Sequence, residues 1–150
     1  MSQSLSNVLV HLIFSTKDRM RSLQGVDKES LHKYVMDILT QHSCVPLASN
    51  SVDDHIHLLL GLGRTITIAD LVKELKTGTA KWIHRSAPER AAFAWQRGYG
   101  IFSISPSHKD AVIHYINTQE EHHQRVTFQD EFRRLCKKYG IPIDERYVWD

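Results

Sequence analysis

The sequence predicts an α+β fold of the ferredoxin-like (RRM-like) kind: a four-stranded antiparallel sheet with helices on one face and extra C-terminal helices. Three observations predict it. β-Branched and apolar runs alternate with segments of helical period in the order strand, helix, strand, strand, helix, strand. The two middle strands are separated only by a short acidic turn, which makes them a hairpin. Two further helical segments follow the fourth strand, and no repeat, low-complexity run or linker divides 1–150 into more than a single domain.

The first strand is the run Asn7 to Thr16, whose center Val8-Leu-Val-His-Leu-Ile-Phe14 suits a central position in a sheet. The basic segment Lys17-Asp-Arg-Met-Arg21 then leaves the sheet. From Asp27 to His42, Leu31, Tyr34, Val35, Ile38 and Leu39 recur at helical spacing, with Asp27 as N-cap. Cys44 to Val52 is a second strand, and Asp53-Asp54 turns into a third, His55 to Leu62. Thr67 caps a long helix to Arg85, with Ile68, Leu71, Val72, Leu75, Trp82 and Ile83 on one side and Lys73, Lys76, Lys81 and Arg85 on the other. Tyr99 to Ser105, bounded by Gly98 and Pro106, is the fourth strand. A helix from Lys109 to Gln119 carries Val112, Ile113 and Ile116 on its apolar side, and a last one from Phe128 to Tyr139 ends at Gly140 ahead of Pro142.

Composition excludes more than it selects. With 41% apolar and 24% charged residues, neither disorder nor a fibrous architecture fits. Two distant cysteines, Cys44 and Cys136, make no zinc knuckle or disulfide framework, so both are expected as buried thiols in a reducing cytoplasm. No run approaches the roughly 20 apolar residues of a membrane span, and the polar start lacks a signal core, so a soluble chain without a membrane partner is expected. A net charge of +2 says nothing about nucleic acid, and any such claim must rest on local placement.

Chemistry enters with His55-Ile-His57. Residues two apart on a strand share a face, so the two imidazoles project together while Ile56 and Leu58 point to the opposite, apolar side. Tyr115 and Gln119, four apart on a helix, also share a face, where a hydroxyl and an amide look out together, away from Ile113 and Ile116. Phosphodiester transfer needs a nucleophile and an electrophilic metal, and His55, His57 and the Gln119 carbonyl can supply three ligands with positions left for phosphate oxygens. Two imidazoles and an oxygen suit Mn²⁺ and tolerate Mg²⁺, whereas the missing third His or Cys in the strand weakens a structural zinc. Free tyrosine has a pKa of about 10 and must lose its proton as it attacks; the residues leave its acceptor open. A histidine-triad hydrolase would need a third histidine where Leu59 stands, and a two-histidine phosphoesterase a second separate motif. There is no phosphate-binding glycine loop and no G-x-S-x-G elbow.

Across nearly its whole length the chain resembles the insertion-sequence 200/605-type transposases, the single-tyrosine members of the HUH nucleases, including relatives associated with repetitive extragenic palindromes. The resemblance is carried by Val10-His-Leu-Ile-Phe-Ser-Thr-Lys-Asp-Arg19, Asp54-His-Ile-His-Leu-Leu59, Lys76 through Trp82, Phe93 through Ser105, Tyr115-Ile-Asn-Thr-Gln119, and His122-His123 followed by Phe128-Gln129. It implies that His55 and His57 hold a divalent metal, Mg²⁺ or Mn²⁺, with Gln119 as third ligand. It implies that Tyr115 forms a 5′-phosphotyrosine bond, and that single-stranded DNA is cut and rejoined beside hairpins at element ends. It also implies a homodimer in which the tyrosine helix of one subunit can complete the metal site of the other, working in the cytoplasm and on the nucleoid when bound to DNA.

For the DNA surface, Lys17, Arg19 and Arg21 of the basic loop and Lys73, Lys76 and Lys81 of the long helix offer phosphate contacts, while Trp95 or Tyr99 offers a ring for a base. His122 and His123 read as surface residues, in reach of phosphate at most and not as ligands. The alternative is a domesticated or inactive single-stranded nucleic-acid-binding protein of the same fold. An RNA-recognition module scores poorly, because its exposed stacking aromatics would stand where His11, His55 and His57 stand.

Overall fold

A computed structural model describes residues 2–150, so Met1 of the expected domain lies outside the described residues. Four strands, β1 (Leu9–Ser15), β2 (Val45–Ser51), β3 (His55–Gly61) and β4 (Gly100–Ile104), form one sheet in the order β2-β3-β1-β4. Every pairing is antiparallel. The helices are α1 (Lys28–Gln41), α2 (Ile68–Ser86), α3 (Lys109–Asn117), α4 (Gln119–His122) and α5 (Phe128–Lys138). The expected fold class and element order are therefore borne out.

The start of each long helix follows from its sequence. Asp27 accepts from the backbone N–H of Ser30, Thr67 from that of Asp70 and Thr127 from that of Asp130, so three helices begin on a side chain that satisfies an orphan donor. At the far end of α5, Gly140 takes φ +67°, the left-handed conformation that closes a helix without a Cβ clash.

Alternation splits the sheet into two faces. Val10, Leu12, Phe14, Ile56, Leu58 and Leu60 pack against Leu31, Val35 and Leu39 of α1 and Leu71, Leu75 and Ile83 of α2. Cys44 lies in this core, while Cys136 is buried in α5, so both thiols are free and enclosed.

The second face is covered by the C-terminal helices. Leu9, Leu59 and Ile104 meet Ile116 of α3, and Ile13 and Phe102 meet Phe128, Phe132 and Cys136 of α5. Asn50 of β2 ties α3 down by donating to the carbonyl of Ile116 at 2.8 Å. The chain end completes the cover, with Trp149 against Phe128 and Phe132 and the carbonyl of Asp150 accepting from the N–H of Arg97. The helices added after the fourth strand thus close the sheet face that carries the histidines. No helix among the described residues is long and apolar enough to cross a membrane.

A histidine and carboxylate center beneath the C-terminal helices

Register brings the first residues of the center together. Ser15 pairs with His55 and Ile13 with His57, so both histidines stand on the second face at the start of β3. Both are fully buried, because α4 and α5 lie over them. His11, opposite Leu59 and diagonal to His57, joins the pair from β1 with its Nε2 2.7 Å from His57 Nδ1.

Each histidine is anchored through Nδ1 and turned inward through Nε2. His55 Nδ1 lies 2.6 Å from Asp54 Oδ1, His57 Nδ1 faces His11, and His123 Nδ1 lies 2.6 Å from the Val126 carbonyl. The three Nε2 atoms converge on one carboxylate oxygen, Glu131 Oε1, at 3.4 Å for His55, 2.9 Å for His57 and 3.1 Å for His123. Glu131 enters from α5, whose neighboring Phe128 and Phe132 are buried on the same side. Its other oxygen, Oε2, accepts the Tyr115 hydroxyl. His122 Nε2 lies 3.3 Å from that oxygen without a hydrogen bond.

Burial and charge set the protonation of this center. Burial, then the nearby His57, lowers His11 to about 3, and burial lowers His57 to about 4 against the pull of Glu131, so both rings are neutral near neutral pH. Burial opposes charge on His55 as well, but the hydrogen bonds to Asp54 and Glu131 outweigh it and raise its pKa. Burial disfavors charge on Glu131, yet the bonds from His123, His55 and His57 overcome it and hold the carboxylate well below its usual range. The Tyr115 phenol is pushed up, first by burial and then by the negative Glu131 beside it.

His55, His57 and Tyr115 therefore meet in one chain, with the Tyr115 and His57 ring centroids 5.8 Å apart. Gln119 lies near but not as expected. The helix from Lys109 breaks at Thr118, whose hydroxyl bonds back to the His114 carbonyl, and Gln119 starts α4 fully buried instead of looking out beside the tyrosine. Its Nε2 donates to the Tyr115 carbonyl, and its Oε1 is buried without a partner.

Ligand atoms of His55, His57, His123 and Glu131 lie within 4.8 Å of one another. Inward imidazoles with anchored Nδ1 atoms and a carboxylate form a donor set that fits a divalent cation, and the orphaned Oε1 of Gln119 is a further buried oxygen next to the tyrosine turn. His123, expected as a surface residue, belongs to this set because the turn after α4 folds its ring onto His55 at 4.3 Å between centroids.

Sequence reasoning missed His11, Asp54, His123 and Glu131. The signals were a histidine in an apolar strand on the face of the pair, an acid directly before it, and an acid interrupting the stripe Phe128, Phe132, Leu135.

Two residues expected to meet DNA are held by partners inside the fold. Trp95 sits in the core between Phe14 and Phe93 and donates its indole N–H to Thr79 Oγ1 at 2.9 Å, leaving no open ring face. The Lys76 ammonium donates to the carbonyls of Gln96, Arg97 and Gly98, and burial lowers its pKa to about 8. Arg19 is half-buried over the Trp149 ring and donates to its carbonyl. Lys17, Arg21, Lys73, Lys81 and Tyr99 remain exposed.

A small antiparallel α+β domain with a buried histidine pair on its central strand and a tyrosine on a following helix defines a narrow class, and comparison places it. The chain belongs to the family "Transposase IS200 like", whose profile matches residues 4–119. It is 28% identical over 116 residues to the ISDra2 transposase TnpA of Deinococcus radiodurans, covering 74% of this chain and 83% of that protein. Among solved structures it is similar to a candidate transposase from Deinococcus radiodurans R1, with a TM-score of 0.61 and 27% identity over 79% of this chain and 98% of that one. It shares its fold with a REP-associated tyrosine transposase solved bound to a REP hairpin, with a TM-score of 0.62 and 14% identity over 84% and 76% of the two chains.

Proposed function

We propose that this transposase cuts and rejoins single-stranded DNA through a covalent 5′-phosphotyrosine on Tyr115, beside hairpins at the ends of its element. The observation that carries the proposal is the meeting of the Tyr115 hydroxyl with the center that holds His55 and His57 in a single buried cluster. His55, His57 and the Oε1 of Gln119 would hold Mg²⁺ or Mn²⁺, and the ion when bound would polarize the scissile phosphate. In the transfer step the Tyr115 oxygen forms a bond to phosphorus as the bond to the 3′ oxygen breaks. The phenol loses its proton to an acceptor and the 3′ oxygen takes up one proton to depart as a hydroxyl, so the proton count is unchanged. The ester keeps the energy of the phosphodiester, so the reverse attack by a 3′ hydroxyl rejoins a strand without a cofactor.

A cleft of about 680 Å³, lined among others by Arg21, Arg125, Asp54 and His123, runs up to the center and offers two arginines to a phosphate chain, while its Lys28 is paired with Glu120. Lys17, Lys73 and Lys81 would extend that surface, with Tyr99 as the exposed ring. The homodimer implied by family resemblance, with the tyrosine helix of one subunit completing the metal site of the other, is part of this reading, and within one chain Tyr115 and His57 already stand together. Work on DNA would place the protein in the cytoplasm, on the nucleoid.

The test is incubation of wild type and Tyr115→Phe with labeled single-stranded DNA from the flanks of the gene, with Mn²⁺ or Mg²⁺, on a denaturing protein gel. Label held covalently by wild type and lost in the variant is the expected result. Equal cutting by the variant without an adduct would replace this reading with hydrolysis, and binding without cutting by wild type would leave a domesticated nucleic-acid-binding protein.

A further inference from the structure

The match to the family ends at Gln119, yet the group that touches His55, His57, His123 and Tyr115 together lies beyond it. Glu131 is buried, with its side chain 1% exposed, and its two oxygens face different neighbors. Oε1 is met by the Nε2 atoms of His55, His57 and His123, and Oε2 by the Tyr115 hydroxyl. A carboxylate is an acceptor with two oxygens, so one can serve a cation while the other keeps a hydroxyl. His123 arrives from the same extension with its Nδ1 fixed by Val126, the arrangement that leaves Nε2 as a lone pair for metal.

We infer that Glu131 and His123 are metal ligands supplied by the C-terminal extension, and that Glu131 is also the positioning residue that holds the Tyr115 hydroxyl beside the cation. The inference rests on the reading that His55 and His57 hold a metal, and deepens it by changing the ligand set. Two imidazoles and one amide oxygen would become a set with a third imidazole and a negative charge. That set favors Mn²⁺ over the harder Mg²⁺, which prefers oxygen and water. It also ties nucleophile and metal to one side chain, so the tyrosine is set in place by its own chain.

The experiment is calorimetric titration of Mn²⁺ into the full chain, with the visible absorption of bound Co²⁺ as a second readout and adduct formation as a third. Glu131→Gln keeps the shape and removes the charge. It is expected to weaken Mn²⁺ by on the order of tenfold or more, to change the Co²⁺ spectrum and to slow the adduct, with Glu131→Asp recovering part of each. Unchanged affinity and an unchanged Co²⁺ spectrum in Glu131→Gln overturn the inference, and a faster adduct under those conditions makes the carboxylate a plug. Should that variant fail to fold, His123→Ala carries the test, and wild-type Mn²⁺ affinity there overturns the shared ligand set. His57→Ala separates the two levels. If it binds Mn²⁺ as wild type does, the metal reading itself fails; if it loses the ion while Glu131→Gln and His123→Ala keep it, only the present inference falls.

Discussion

Nε2 of His11 lies 2.7 Å from Nδ1 of His57, joining a ring on β1 to one of the two histidines on β3. Both rings are held neutral by burial, so one must donate and the other accept. For His57 to offer a lone pair at Nε2, its hydrogen must be on Nδ1 and the acceptor must be His11. With a cation in place of the hydrogen bond from His57 Nε2 to Glu131, His11 would select this tautomer of its neighbor, as a carboxylate does for many metal-bound histidines. Replacing His11 by phenylalanine removes the acceptor and keeps the ring. We expect Mn²⁺ affinity to fall roughly 10- to 100-fold, the usual loss for such a partner. Titration calorimetry on the folded variant checks this, and wild-type affinity would show that the tautomer is set elsewhere.

His32 provides a pH prediction outside the center. It is buried between α1 and β2, bonded to the hydroxyls of Ser49 and Ser51, and burial followed by the Lys28 charge lowers its pKa from 6.5 to about 4. With a depressed folded pKa, the unfolded chain binds the proton first. Stability is therefore full above 6.5 and is lost as pH falls toward 4. His11 and His57 act in the same direction, while His55, with its raised pKa, contributes stability below 6.5 that is lost as pH rises through its folded value. At pH 5 the His32 share is about 2 kcal/mol. Urea unfolding at pH 7 and pH 5 should show a drop for wild type that is smaller by about that amount in His32→Gln. An identical drop in both would show that His32 protonates without strain.

The lysines of α2 divide into two kinds. Lys76 closes the loop before β4 by donating to three carbonyls, so Lys76→Met should cost about 1–3 kcal/mol through acceptors left unpaired. Lys73→Ala and Lys81→Ala should leave unfolding unchanged and each lower the salt dependence of DNA binding by about one unit of slope. Thermal unfolding and binding isotherms at several salt concentrations separate the two. A stable Lys76→Met with weakened DNA binding would return that lysine to the DNA surface.

The limits of the sequence can be stated residue by residue. His55 and His57 were legible because strand period alone puts them on one face, and Tyr115 because its helix follows the last strand. Asp27, Thr67 and Gly140 were legible as caps because capping is local chemistry. What was not legible was the cover. Whether an added helix lies beside a sheet or across its second face is decided by packing, and the apolar stripe of α5 suits either. Glu131 reads as a surface acid until α5 is placed, and then the stripe of Phe128 and Phe132 carries it into the center. Trp95 and Lys76 show the converse: an aromatic ring and a lysine look available for DNA until Thr79 and three loop carbonyls are seen to hold them.

The height of α5 over the sheet is set by Gly100, and this gives the last prediction. Gly100 lies opposite Ile13 on the face that α5 covers, and a Cβ there would come within 2.7 Å of Phe132 Cε2 and 3.1 Å of Phe102 Cζ. Phe132 is buried among Phe102, Phe128 and Trp149, so its ring has little room to give. Gly100→Ala should therefore lift α5 and cost about 1–3 kcal/mol of stability. Because Glu131 is the residue next to Phe132, the same displacement should draw its carboxylate away from His57 and weaken Mn²⁺ binding. Gly140→Ala is the matched control. It meets no atom within 4 Å, and its cost of about 1–2 kcal/mol comes from φ +67° alone, at the far end of α5. Denaturant unfolding and metal titration of the two variants give the comparison: similar losses of stability with weakened metal binding only in Gly100→Ala mean that the seat of α5 governs the center. Equal metal affinity in both would mean that the seat of α5 does not govern the center.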